Sequence, residues 1–80
     1  MNNSVDFILP ELGEGIEEAT VSFWMCEKGD NINKGDDVIE MLTDKATFNV
    51  PAPVSGVLKD ILVKEGDIVR VGQKMAEIGE

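Results

Sequence analysis

Histidine and tyrosine are absent from this 80-residue chain, cysteine occurs once, and 7 basic residues face 16 acidic ones. Each shortage closes off a class of chemistry. Without imidazole there is no histidine acid–base pair, no Ser-His or Cys-His nucleophile and no histidine-bound metal. The single thiol, Cys26, can build neither an internal disulfide nor a multi-cysteine zinc site, and it fits a reducing compartment. A formal charge of −9 repels phosphate backbones, so nucleic acid is not an expected partner. The acidic surface favours solubility and partners that present basic patches. No apolar run reaches the length of a membrane span, and the N-terminus lacks the basic-then-apolar signal pattern. The chain therefore reads as soluble and intracellular, with no membrane partner.

What remains is enough for one domain, residues 1–80, near the lower end of lengths that bury an adequate core unaided. Aromatics are scarce (Phe7, Phe23, Trp24, Phe48), so the core must rest on Val, Ile, Leu and Met.

A repeat appears on sliding the chain by 37 residues: Glu27-Lys28-Gly29-Asp30 falls on Lys64-Glu65-Gly66-Asp67, and Gly35 falls on Gly72. Apolar positions match too, with Ile32 on Val69, Val38 on Met75, Met41 on Ile78, Val21 on Leu58 and Trp24 on Ile61. Two such halves are too few for a solenoid, so the spacing predicts a closed pair related by a pseudo-twofold axis. Each half reads as strands. Ala19–Met25 alternates, placing Val21, Phe23 and Met25 on one face. Val38–Leu42 and Lys74–Ile78 are short β-compatible runs, and the Gly-Asp pairs at 29–30, 35–36 and 66–67 are turn signals. Pro51 and Pro53 make 51–55 a connector. The fold expected is all-β, a flattened barrel or small sandwich.

Two segments stand out as candidate sites. The first, Leu9-Pro10-Glu11-Leu12-Gly13-Glu14-Gly15-Ile16, joins a short first strand to the second; it reads as a surface loop with Leu12 tucked in, or as a recognition loop. The second is the connection between Leu42-Thr43 and Ala46–Val50, which leaves only Asp44 and Lys45 for a tight hairpin. Asp44-Lys45 is not a favoured Asp-Gly turn, and an imperfect turn in a small domain invites a functional explanation. An amine on a rigid tip is what an enzyme needs to acylate one lysine and ignore the other five. Lysine is ordinarily an ammonium near neutral pH, so deprotonation falls to the modifying enzyme. The tip presents Lys45; it does not catalyse.

Thr43-Asp44-Lys45-Ala46, followed by Val50-Pro51-Ala52-Pro53-Val54-Ser55-Gly56, resembles the lipoyl domains of 2-oxo acid dehydrogenase acyltransferases. Leu9–Gly15 and the Lys28-Gly29-Asp30 turn match as well, so the resemblance covers essentially the whole chain. It implies a flattened barrel of two four-stranded sheets, with lipoate amide-linked to Lys45 at a tip and the termini at the opposite end. It implies that a lipoate ligase or lipoyl transferase attaches the cofactor. It further implies a swinging arm. A thiamine-diphosphate-dependent 2-oxo acid decarboxylase loads an acyl group, and an acyltransferase core passes it to coenzyme A. Dihydrolipoamide dehydrogenase then reoxidises the dithiol. Tethering raises the arm's effective concentration at each site to the order of millimolar. Asp44, Ala46 and the loop residues Leu12, Gly13 and Glu14 would serve recognition by the decarboxylase. The tip wording leans toward pyruvate or a related acid. Family members continue into further domains, so this chain reads as one domain of a longer acyltransferase. Its compartment would be the bacterial cytoplasm or the mitochondrial matrix.

A biotin carrier domain and an unmodified lipoyl-like protein-interaction module stand as the alternatives, and particular residues weigh against each. Biotin carriers flank their lysine with methionines, whereas Asp44 and Ala46 stand here. A glycine-cleavage carrier needs more residues than these, and unmodified adaptor domains of similar fold need no lysine at the tip. Gly13-Glu14-Gly15 lacks the third glycine of a dinucleotide fingerprint, and Gly29–Gly35 has the wrong spacing for a phosphate loop. Asp30–Gly35 imitates a calcium loop, but Ile32 and Lys34 occupy ligand positions. Glu17-Glu18 and Asp36-Asp37 are adjacent, which on a strand turns them to opposite faces. Cys26 reads as a buried hydrophobe, with a reactive thiol as the alternative, Phe48 as core packing that fixes the tip, with partner contact as the alternative, and Gly29, Gly35, Gly56, Gly66 and Gly72 as turn glycines.

Overall fold

The computed structural model describes residues 4–79. Eight strands follow in order: β1 (Ser4–Ile8), β2 (Glu18–Trp24), β3 (Asn31–Ile32), β4 (Asp37–Leu42), β5 (Thr47–Pro51), β6 (Gly56–Ile61), β7 (Ile68–Arg70) and β8 (Lys74–Gly79). They form two four-stranded antiparallel sheets, β1-β8-β6-β3 and β5-β4-β2-β7. The all-β expectation and its two four-stranded sheets are what the structure has.

The 37-residue repeat is visible in every layer of this architecture. It carries β2 onto β6, β3 onto β7 and β4 onto β8, and the two sheets then share one strand order with β5 in the place of β1. Each half lends its short third strand to the other half, β3 pairing with β6 and β7 with β2. The turns are duplicated atom for atom. Asp30 Oδ2 accepts from Glu27 N at 2.9 Å and Asp67 Oδ2 from Lys64 N at 3.0 Å. Gly29 and Gly66 both have positive φ, 96° and 91°, which only glycine adopts without strain. Gly29 N then donates to Leu58 O and Gly66 N to Val21 O, locking each turn onto the opposite half. Asp30, the carboxylate of the calcium-like segment, is thus spent on capping Glu27 N, and Asp36 just beyond it on capping Asn33 N.

Bulges repeat as well, and one of them overturns an expectation. Ser22 is the extra residue in β2 against β4, and its counterpart Lys59 is the extra residue in β6 against β8. A bulge reverses which side chains face inward. Val21 is therefore buried, but Phe23 and Met25 point outward at 41% and 38% exposure, and Trp24 turns in instead. Its Nε1 donates to Val63 O at 2.9 Å and its ring tilts against Phe7. Paired bulges at Val38 and Met75 likewise let the neighbouring Ile39 and Ala76 be buried beside them.

The core is aliphatic, as the composition requires: Leu9, Ile39, Met41, Leu58, Met75 and Ile78 are wholly buried, with Phe7 the one fully buried aromatic. Leu12 and Cys26 are half-buried and packed against it. Cys26 is thus less enclosed than expected. Its thiol is pushed up from the ordinary range, by burial first and then by the carboxylates of Asp30 and Asp36. Phe48 is half-buried opposite Met41 on edge strand β5 and lies outside the core cluster. Pro51 closes β5, where an edge strand tolerates a missing N–H.

Gly56 also departs from its expected role, for it opens β6 without positive φ. A Cβ there would collide with the carbonyl of Gly79 and press on Ile78. Glycine is needed for that close approach, not for a turn. Gly56→Ala should cost about 1–3 kcal/mol of stability, read as a lowered midpoint in urea denaturation. An unchanged midpoint would contradict the close approach.

Candidate functional site

The β4–β5 hairpin is closed by a side chain. Thr43 N donates to Ala46 O at 2.9 Å, and the Thr43 hydroxyl donates to the same carbonyl at 2.8 Å. That hydroxyl also accepts from Lys45 N at 3.2 Å and Ala46 N at 3.1 Å. One donor and two acceptor positions are the full capacity of a hydroxyl. This explains how Asp44 and Lys45 fit a two-residue connection without glycine: neither has positive φ, because Thr43 takes over the bonds. Sequence reading included Thr43 in the motif but gave it no role. A threonine directly before a glycine-free two-residue turn is the signal that could have found it.

The chain runs from this hairpin along β5 to Pro51, and β6 begins at Gly56, against Gly79 of β8. Ser4 pairs with Gly79 in turn. Both described chain ends therefore lie at the end of the strands opposite Lys45. Under the repeat, the Leu42–Thr47 pair that precedes the hairpin corresponds to the Gly79–Ser4 pair beside the termini. Lys45 sits where the duplicated chain is continuous and its counterpart is open.

Asp44, Lys45 and Ala46 are all exposed, as expected of a tip. The tip does not stand alone, however. The chain leaving the first loop passes beside it, and a groove of about 410 Å³ is lined by Gly15 to Thr20 on one side and Leu42 to Lys45 on the other. Lys45 Nζ leans over Gly15, 3.8 Å from where a Cβ would be, and Gly15 has φ 82°. Of the loop residues singled out, Leu12 packs on the core, Gly13 is half-buried and Glu14 is exposed. None of these three lines the groove; the residues after them, Gly15 to Glu18, do.

The lysines differ in their freedom. Lys74 is held by Glu77 at 2.7 Å and Asp6 at 3.1 Å, which raises its ammonium above the ordinary lysine range, Glu77 foremost. The Lys59 stem lies over Gly79. Among the described residues no carboxylate comes within ion-pair distance of Lys45. An exposed, unpaired amine on a backbone locked at its base is fitted to carry a covalently attached acyl group.

Comparison with known proteins agrees with this geometry. The family model described as "Biotin-requiring enzyme" matches residues 5–78. The succinyltransferase component of the 2-oxoglutarate dehydrogenase complex of Staphylococcus saprophyticus is 43% identical over 72 residues, covering 90% of this chain and 17% of that protein. The acetyltransferase component of the pyruvate dehydrogenase complex of Corynebacterium glutamicum is 38% identical over 77 residues, covering 96% of this chain and 11% of that protein. Among solved structures, the lipoyl domain of the Escherichia coli dihydrolipoyl succinyltransferase superposes with a TM-score of 0.74 at 35% identity, covering 98% of each chain. The chain thus spans less than a fifth of the length of these two curated relatives.

Thr43→Val keeps the side-chain shape but removes all three hydroxyl bonds. The Lys45 and Ala46 amides should then exchange with solvent faster, with a stability loss of about 1 kcal/mol. Thr43→Ser should preserve both amides' protection. Equal exchange in Thr43→Val and wild type would contradict the hydroxyl's closing role.

Proposed function

The chain belongs to the biotin/lipoyl attachment family, its relatives being lipoyl domains of 2-oxo acid dehydrogenase acyltransferases, and from that premise we propose that Lys45 carries lipoate in amide linkage. The observation that carries the reading is the exposed, unpaired Lys45 amine on a hairpin whose backbone is held by Thr43. The relatives' names support it, for they specify a dihydrolipoyllysine residue. Attachment itself is the work of a lipoate ligase or lipoyl transferase. Such an enzyme would have to deprotonate Nζ so that it could bond to an activated lipoyl carbonyl carbon, with the bond from that carbon to its leaving group breaking as the amide forms.

Once bound, lipoate supplies a dithiolane that interconverts with a dithiol and carries an acyl group as a thioester. The chain's own part is mechanical. Thr43 fixes the hairpin, Asp44 and Ala46 flank the amine without enclosing it, and Lys45 Nζ lies beside Gly15. The opposite end, at Ser4 and Gly79, is free for connection to the rest of an acyltransferase, so the tethered arm can visit successive sites at high effective concentration. The partners of this reading are a thiamine-diphosphate-dependent decarboxylase, the acyltransferase core and dihydrolipoamide dehydrogenase, in cytoplasm or mitochondrial matrix. The tip wording favours pyruvate, while the relatives serve both 2-oxoglutarate and pyruvate complexes. We set the substrate at their shared class, a 2-oxo acid.

Incubation with lipoate ligase, ATP and lipoate should add one lipoyl increment to the intact mass, mapped to Lys45. Lys45→Arg should stay folded, since an exposed tip contributes little packing, and should take up none. No increment on folded wild-type domain, while a known lipoyl domain is modified in parallel, would overturn the reading. Uptake of biotin with biotin ligase would then replace it.

A further inference from the structure

The duplication contains an internal control. Positions related by 37 residues have the same backbone task, so a difference between counterparts reports something the fold does not require. On the outer face of the β5-β4-β2-β7 sheet, Leu42 and Ile68 both pair with Thr20 and form one row across three strands. They are 50% and 61% exposed. Phe23, 41% exposed opposite Glu40, extends the row along the same face. The counterparts of Leu42, Ile68 and Phe23 are Gly79, Asn31 and Asp60. The reverse exchange occurs once, with Thr20 against Val57. Exposed Met25, by contrast, has the likewise exposed Leu62 as its counterpart and belongs to the fold's own pattern.

This apolar row is displayed at the lysine end of the molecule. Leu42 is the last residue of β4 before the hairpin, and it lines the groove beside Lys45 together with Thr20. The border is acidic, with Glu17 and Glu18 in the groove wall, Asp44 at the tip and Asp67 next to Ile68. Arg70, opposite Glu18, is the one basic residue on β7.

We propose that the Leu42–Thr20–Ile68 row, extended by Phe23, is the surface on which the lipoate-attaching enzyme seats while it acylates Lys45, and that the enzyme's facing surface is apolar with a basic border. The inference rests on the reading that Lys45 is lipoylated. The reaction singles out this partner. Amide formation requires the activated carbonyl to come within bonding range of Nζ itself, so the enzyme must close over the hairpin and the strand ends at its base. The later enzymes react with the far end of the arm, so their chemistry does not itself require Leu42 to be covered, whatever part of the domain they recognise. The acidic border matches a basic one, which accelerates encounter and sets orientation, while the apolar row supplies the affinity.

The test measures initial lipoylation rates by intact mass over a range of domain concentrations, with lipoate ligase, ATP and lipoate. The variant Leu42→Thr/Ile68→Asn should raise KM for the domain at least about tenfold, with kcat within about twofold of wild type. Each single change should raise KM by less, and the singles decide the matter if the double variant loses its cooperative thermal unfolding. Val57→Thr, the same kind of change on the other sheet, should leave both constants unaltered. Added salt should raise the wild-type KM. An unchanged KM in the folded double variant would overturn the proposal. So would normal lipoylation combined with impaired acylation by the decarboxylase, which would assign the row to that later partner. Wild-type domain that is never lipoylated sinks the underlying reading instead, and is recognised by the absence of any rate to compare.

Discussion

Backbone hydrogen bonds between the turn of one half and a strand of the other clasp this molecule together, Leu58 N donating to Asp30 O and Val21 N to Asp67 O. Gly29 N bonds to Leu58 O and Gly66 N to Val21 O, each from the turn of one half to a strand of the other. Because both glycines need positive φ to reach across, the pair of turns clasps the two sheets reciprocally. Neither half can then complete its sheet alone, since β3 and β7 are also exchanged between halves. Among the described residues the buried side chains number fewer than twenty, all apolar and mostly aliphatic, and this small core suffices because the exchange closes it. The clasp also fixes where the hairpin points. β2 is bonded to the Gly66 turn on one side and paired with β4, and Lys45 follows the end of β4 with its amide held by Thr43.

Duplication separates what the fold needs from what function adds. The turns, the bulges at Ser22 and Lys59, and the strand orders repeat between halves. The hairpin tip does not repeat, because its counterpart is the gap between the chain ends. The apolar row of Leu42 and Ile68 does not repeat either. Both asymmetries fall at the same pole, where the lysine amine lies beside Gly15.

Much of this was legible in the residues. The 37-residue spacing of Gly29 and Gly66 carried the pseudo-twofold, and the two residues between β-compatible runs placed Lys45 at a tip. Other features were hidden for physical reasons. Strict alternation over Ala19–Met25 assumed an unbroken ladder, and the extra residue Ser22 exchanged Phe23 for Trp24 on the core side. Strands of two and three residues, β3 and β7, are too short to show a period at all. Gly56 looked like its turn-forming neighbours because sequence does not distinguish a glycine that needs positive φ from one that needs an absent Cβ. Thr43's role depended on a hydroxyl reaching two amides, which composition cannot show. The groove wall came from Gly15 to Glu18, a few residues beyond the loop segment that stood out in the sequence.

The central claim is that hairpin geometry, rather than any property of the amine, selects one lysine among six. Moving the amine one residue along the tip tests it most directly, by comparing lipoylation of wild type with that of the swapped variant Asp44→Lys/Lys45→Asp. Both chains have the same composition and the same charge at the tip, and the swap leaves Thr43 untouched. The account predicts a folded domain whose lipoylation rate falls sharply, because the amine now leaves the turn in another direction. Modification of the swapped chain at the wild-type rate would contradict it.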